Sequence, residues 1–205
     1  MSVEHLEFLV EEPSMEAFLN ALLPRLLPNQ VNFRIHVFQG KMDLLQKLPH
    51  RLRGYASWLP DTWRIIVIVD RDNDDCHVLK ARLESIANAE GLRTRTTGSG
   101  TSWQVVNRLA IEELEAWYFG DWDAVRRAYP RVPEGTSRQR NYRDPDAIPG
   151  GTWEAFERIL QRAGYFKGGL RKIEAARRIG ALIDPNRNQS HSFAVFRETL
   201  REVIP

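Results

Sequence analysis

The residues of this 205-residue chain best suited to chemistry are acidic, and they stand where apolar runs end. In "RIIVIVDRDNDDC" the run stops at Asp70, and Asp72, Asp74 and Asp75 follow within six positions. A charge pressed against the end of a buried strand needs a counter-charge or a metal ion. Read as extended chain, Asp70 and Asp72 point the same way and can share one divalent cation. Ligands that are all oxygen favour Mg²⁺ or Mn²⁺ over zinc. Glu11 and Glu12 end an earlier run, "LEFLVEE", and Glu11 is expected to complete the cation's shell if the two strands are neighbours. Asp74 or Asp75 has a simpler role open to it, as N-cap of the helix that begins near Cys76.

A third acidic group, Glu112, Glu113 and Glu115 in "IEELEAW", raises the same choice. On a helix Glu112 and Glu115 share a face while Glu113 points elsewhere, and Glu112 or Glu113, nearer a sheet end, is the candidate for a further ligand. The alternative is a glutamate-rich first turn that complements the helix dipole. Trp117, Tyr118 and Phe119 just beyond are expected in the core. Arg71, Arg187 and His191 are candidate phosphate contacts.

The elements that must hold these groups follow from periodicity. "LEFLVEE" reads as a strand, and "PSMEAFLNALLPRLLP" as a helix with Pro13 near its start. "VNFRIHVFQG" alternates like a strand covered on one face. "MDLLQKLPHRLRGYASWL" reads as a helix that Pro49 either kinks or divides. "WRIIVIVD" is apolar enough for a central parallel strand buried on both faces. "CHVLKARLESIANAEG" reads as a helix capped by Gly91, "LRTRTTG" as a short strand, "SWQVVNRLAI" as a further strand, and "EELEAWYFGDWDAVRRAYP" as mostly helix. From about Arg131 the chain makes a Pro- and Gly-rich excursion before three more helices. The expectation is an α/β fold with a mainly parallel sheet flanked by helices, a core over residues 1–125 and a helical extension over 126–205 packed on it.

With 42% hydrophobic and 27% charged residues the chain can bury a core, and no window approaches the roughly 18 apolar residues of a membrane helix. "MSVEHLEFLVEE" is acidic where a signal peptide is basic, and the single cysteine excludes an internal disulfide, so a cytoplasmic protein is expected. The net charge of +2 is small, but arginine and lysine recur between Arg126 and Arg178 while acid gathers elsewhere. That separation suits an acidic metal site bordered by a phosphate-holding surface. Homo-oligomer formation is left open.

"FLVEEPSMEAFL" followed at a distance by "VIVDRDNDD" resembles the Toprim domain of topoisomerases, primases and OLD-type nucleases. More closely, "DRDNDDCHVLKARL", "AIEELEAWYFGD", "YRDPDAIPGGTWEAFERILQRAGY" and "GLRKIEAARRI" resemble a bacterial family of small Toprim-like proteins, domain of unknown function 4276. The resemblance implies a Toprim-like, Rossmann-like fold and a Mg²⁺- or Mn²⁺-dependent nuclease with one or two ions. Glu11 would be a metal ligand or general acid/base, Asp70 and Asp72 the metal-holding pair, and Lys172 the catalytic lysine that OLD-type nucleases bring from beyond the core. It also implies a nucleic acid substrate, an SMC/ABC-type ATPase as partner and a place in anti-phage defence. Two departures, Glu12 where the family has glycine and Met15 where OLD-type nucleases have an acid, support the rival reading of a catalytically degenerate module that binds nucleic acid or the ATPase. A phosphatase or nucleotidyl transferase of doubly wound type would present a similar strand end.

Overall fold

The computed structural model describes residues 2–98 and 102–204. Four strands, β1 (His5–Val10), β2 (Asn32–Val37), β3 (Trp63–Asp70) and β4 (Val105–Ala110), form one all-parallel sheet in the order β2-β1-β3-β4. The intervening helices are α1 (Pro13–Leu22), α2 (Lys41–Ala56) and α3 (Cys76–Ala89), and the rest follow β4: α4 (Glu115–Gly120), α5 (Trp122–Ala128), α6 (Thr152–Arg162), α7 (Lys172–Gly180) and α8 (His191–Val203). This is a Rossmann-like α/β arrangement, as the alternation of elements requires.

Side-chain alternation divides the core into two layers. Leu6, Phe8 and Val10 of β1 join Ile66, Ile68 and Val106 in a cluster with α1 and with helices α4 to α8. Leu9, Ile65, Val67 and Val69 face the other way, onto Leu44, Leu48 and Leu52 of α2 and Leu79 and Leu83 of α3. β3 is apolar throughout its middle because both of its faces are covered, the expected signature of a central parallel strand. β2 is the edge strand: Phe33 and Ile35 pack inward, while Arg34 is exposed. The first cluster runs from Val3 to Val203 and so draws on residues from both sides of position 125.

Of the two alternatives for Pro49, division is excluded, since it sits inside a single α2. Two local expectations need correction. "LRTRTTG" does not form a strand: Thr94 makes a single bridge to Val105, after which the Thr97 and Gly98 N–H groups donate to the Thr94 carbonyl and turn the chain. The helix over "EELEAW" begins at Glu115 rather than at Glu112, because Glu112 has a left-handed backbone (φ 55°) that no α-helix accommodates.

Candidate functional site

In a parallel sheet all carboxyl ends lie on one side, so the loops after the four strands converge. β1 is followed in sequence by a crossover to β2 on one side, while β3 lies on its other side; the crevice between β1 and β3 is thus the topological switch point. Glu11 leaves the end of β1 and Asp70 ends β3, one on each bank of that crevice. Backbone bonds stitch the four ends together: Gly40 N–H donates to Glu11 O (3.1 Å), Arg71 N–H to Ala110 O (2.9 Å) and Asp72 N–H to Glu112 O (2.7 Å).

Glu11 is buried, and its Oε2 accepts from the Asp70 N–H at 3.2 Å. Burial, reinforced by Asp72, pushes its carboxyl up to about 7 despite that hydrogen bond and the nearby Lys41. Asp70 is held well above the ordinary carboxylate range by burial and then by the charges of Glu11 and Glu115. Its Oδ1 is shut away from solvent with no hydrogen-bond partner among the described residues. Glu115, at the start of α4, is also buried and raised to about 7, burial outweighing the attraction of Lys172.

Asp72 departs from the geometry expected of it. The chain is not extended beyond Asp70; Asp72 adopts φ 49°, and its Oδ2 lies 2.7 Å from the Lys41 ammonium, which also holds Asp74 at 2.8 Å and the Arg71 carbonyl at 3.0 Å. The alternation argument for a shared ion therefore does not apply to this pair. Lys41 escaped sequence reasoning, though "FQGKMD" carried the signal: a Gly-Lys step after a strand, with Gly40 at φ 89° starting the helix at the sheet's carboxyl end. The two carboxylates lift the Lys41 ammonium above its ordinary value although burial opposes this.

The remaining acids divide by role. Asp75 caps α3, accepting from the N–H groups of His77 (2.8 Å) and Val78 (3.0 Å). Glu113 accepts from Thr152 Oγ1 and the Trp153 N–H, both at 3.1 Å, and so anchors the start of α6. Glu112 lies 3.6 Å from Arg71. With its left-handed backbone it cannot share a helical face with Glu115, which removes the spacing argument for it as a ligand. Lys172 opens α7, with its ammonium 5.2 Å from the Trp153 ring. Burial works against that charge, but Glu115, Glu12, Glu113 and Asp70 together raise its pKa, so the lysine stands within electrostatic reach of the cluster.

Arg187 is exposed and paired with Asp123 of α5, in a shallow groove it shares with Arg126 and Arg127. His191 is exposed at the start of α8. Neither is bonded to a residue of the carboxylate cluster. Trp117, Tyr118 and Phe119 are buried. Asp146 in the excursion was passed over by sequence reasoning, yet it holds the start of α8 by accepting from Ser190 Oγ (2.8 Å), Ser192 Oγ (3.0 Å) and the Ser192 N–H (3.0 Å).

As placed, no group of three or more His, Cys, Asp or Glu side chains among the described residues could hold one metal ion, since Asp72 is turned to Lys41. The donor chemistry nevertheless fits a hard divalent cation. Glu11, Asp70 and Asp72 offer oxygen alone, Asp70 Oδ1 lacks a partner among the described residues, and burial with the neighbouring charges favours protons on Glu11 and Asp70 that a cation would displace.

The fold and the site define a doubly wound parallel α/β protein with a carboxylate cluster, flanked by two lysines, at its switch point. The chain belongs to the family described as Domain of unknown function (DUF4276), whose model matches residues 10–201. No curated protein and no solved structure matches it. No helix among the described residues is long and apolar enough to cross a membrane.

Proposed function

We propose that this protein is a divalent-cation-dependent phosphodiesterase acting on nucleic acid, a nuclease of Toprim type. The observation that carries this reading is the pairing of a buried, partnerless Asp70 oxygen with a buried Glu11 across the switch-point crevice. Buried polar atoms are nearly always satisfied, and one left open at a strand end suits a ligand position. The Toprim-like order of Glu11 followed by Asp70-x-Asp72 supports the same residues. Mg²⁺ or Mn²⁺, when bound, would offset phosphoryl charge and lower the pKa of a ligated water.

The chain's own groups have separate tasks. Glu11, Asp70 and Asp72 are the ligands. Lys41 holds Asp72, Asp74 and the Arg71 carbonyl and supplies a cation beside the acids. Lys172 supplies another, and Arg71 stands at the entrance. Glu11, held up to about 7 by burial while no cation is bound, would give up its proton to the ligating cation, so cation binding should strengthen as pH rises toward neutrality. An SMC/ABC-type ATPase partner and a role in anti-phage defence belong to this proposal through the resemblance alone.

The engagement of Asp72 by Lys41 favours a second reading, in which the site is a salt-bridged binding module without catalysis. The deciding assay is cleavage of plasmid, single-stranded DNA and RNA with Mg²⁺ or Mn²⁺, run beside thermal unfolding with and without the cation. The nuclease reading expects cation-dependent cleavage and cation-dependent stabilisation, both lost in Asp70→Ala and Glu11→Ala. Stabilisation or cleavage that persists in both variants would sink it, and nucleic acid binding with neither effect would establish the binding module.

A further inference from the structure

A second concave site lies along the β2 edge of the sheet. α2 runs back along the sheet, so its later half stands over the beginnings of β1 and β3 and over β2, and borders an open cavity of about 610 Å³. That volume lies within the range of small-molecule sites. Its floor is Glu7, only 4% exposed, whose carboxylate accepts from Tyr55 OH at 2.9 Å and lies 2.6 Å from His36 Nε2 and 3.0 Å from His5 Nε2. Glu7 is thus fully engaged, and it fixes the imidazole and phenol that line the cavity.

The rim is cationic. Lys47 is paired with Asp43 at 2.6 Å, whereas Arg34, His50 and Arg51 have no side-chain hydrogen bond or ion-pair partner among the described residues. One wall is indole: Trp58 is 53% exposed, with its ring 5.4 Å from that of Trp63. Gly54 completes the wall from inside α2. A glycine in a helix interior costs stability relative to alanine, so it calls for a reason. Packing provides none, since a Cβ there would meet nothing within 4 Å and the backbone is unstrained. What the missing side chain provides is room in the cavity.

Unpaired guanidinium groups beside an exposed indole face recognise an anion joined to a flat ring. A bare anion would leave the indoles and most of the volume unused, and an apolar ligand would strand the charges. We infer that this cavity binds a nucleotide, with the phosphate at Arg34, His50 and Arg51 and the base against Trp58. The nucleotide is either free or the end of a strand; the recognising chemistry is the same. This inference does not depend on the phosphodiesterase reading, whose residues lie beyond the carboxyl ends of β1 and β3.

The test is isothermal titration of the full chain in EDTA with AMP, ATP, adenosine, inorganic phosphate and a short 5′-phosphorylated oligothymidylate. At least one nucleotide probe is expected to bind, with adenosine and phosphate weaker by about tenfold or more. Arg34→Ala with Arg51→Ala, and separately Gly54→Leu, should each weaken binding by about tenfold or more. Gly54→Leu projects into open space from a better helix former, and circular dichroism will confirm that it folds. Binding of the mononucleotides identifies a free ligand, and binding of the oligonucleotide alone identifies a strand end. No binding by any probe, phosphate or adenosine binding as tightly as nucleotide, or binding unchanged in both variants would overturn the inference. Because EDTA removes divalent ions and heat rather than cleavage is read, that failure is distinct from failure of the nuclease reading.

Discussion

Asp70 Oδ1 has neither solvent nor, among the described residues, a hydrogen-bond partner, and Glu11, Glu115 and Asp72 crowd its charge. Such an arrangement costs stability unless a proton or a cation relieves it. The pH dependence of folding should show this at Glu115. In the folded protein its carboxyl titrates near 7 against an ordinary value of 4.5. Between those values the native state holds a proton that the unfolded chain has released, so stability falls as pH rises from about 4.5 to about 7 and is level above that. The size is up to roughly 3 kcal/mol at about 1.4 kcal/mol per unit. Glu11 acts with the same sign in the same window. Glu115→Gln should therefore narrow the difference between denaturant midpoints measured at pH 5 and pH 8; an unchanged difference would show that Glu115 is not the strained group. Asp70→Asn removes a group whose ionisation the cluster opposes and should reduce the loss of stability between pH 5 and pH 8, read by urea unfolding in EDTA, while abolishing any stabilisation by Mg²⁺. An unchanged loss would mean that Asp70 is already compensated.

The position of Lys172 depends on how closely α7 lies on α1. Gly180, at the end of α7, permits that approach: a Cβ there would meet the Phe18 carbonyl oxygen at 2.7 Å and the Ala21 Cβ at 3.3 Å. A backbone atom cannot step aside as a flexible side chain can. Gly180→Val should thus push α7 outward, costing about 1–3 kcal/mol by overpacking, and should draw Lys172 away from the acids. Urea unfolding measures the first effect; the second appears as a further fall in Glu115-dependent stability at pH 8, since Lys172 is the cation that opposes Glu115's protonation. Wild-type stability in Gly180→Val would mean that the helices have room to spare. The starts of α6 and α8 are held by acids distant in sequence, Glu113 and Asp146, so the later part of the excursion after Arg131 is tied to the body of the protein.

Across the whole molecule one apolar cluster runs from Val3 to Val203, with Trp117 packed between Phe18, Phe193 and Phe196. Residues so distant in sequence cannot lose contact singly, and the expected result is one cooperative transition in which tryptophan fluorescence and far-ultraviolet circular dichroism coincide. Separate midpoints for the two signals would show that the C-terminal helices unfold by themselves. The two concave sites lie in different places on the sheet: acids and lysines gather beyond the carboxyl ends of β1 and β3, and the basic, indole-lined cavity runs along the β2 edge.

The strands, their parallel arrangement and the convergence of Glu11 with Asp70 were legible in the sequence. Apolar runs that end in acid specify both a buried strand and the place where its chain emerges. The partnership of Asp72 with Lys41, the left-handed turns at Asp72 and Glu112, and the use of Glu113 as an anchor for α6 were not legible. Each depends on which side chain another loop brings within hydrogen-bonding distance, and local periodicity does not carry that information. The cavity over β2 was hidden for the same reason. Alternation set Arg34 and His36 on one face of an edge strand, but only the packing of α2 over that face placed His50, Arg51 and Trp58 opposite them.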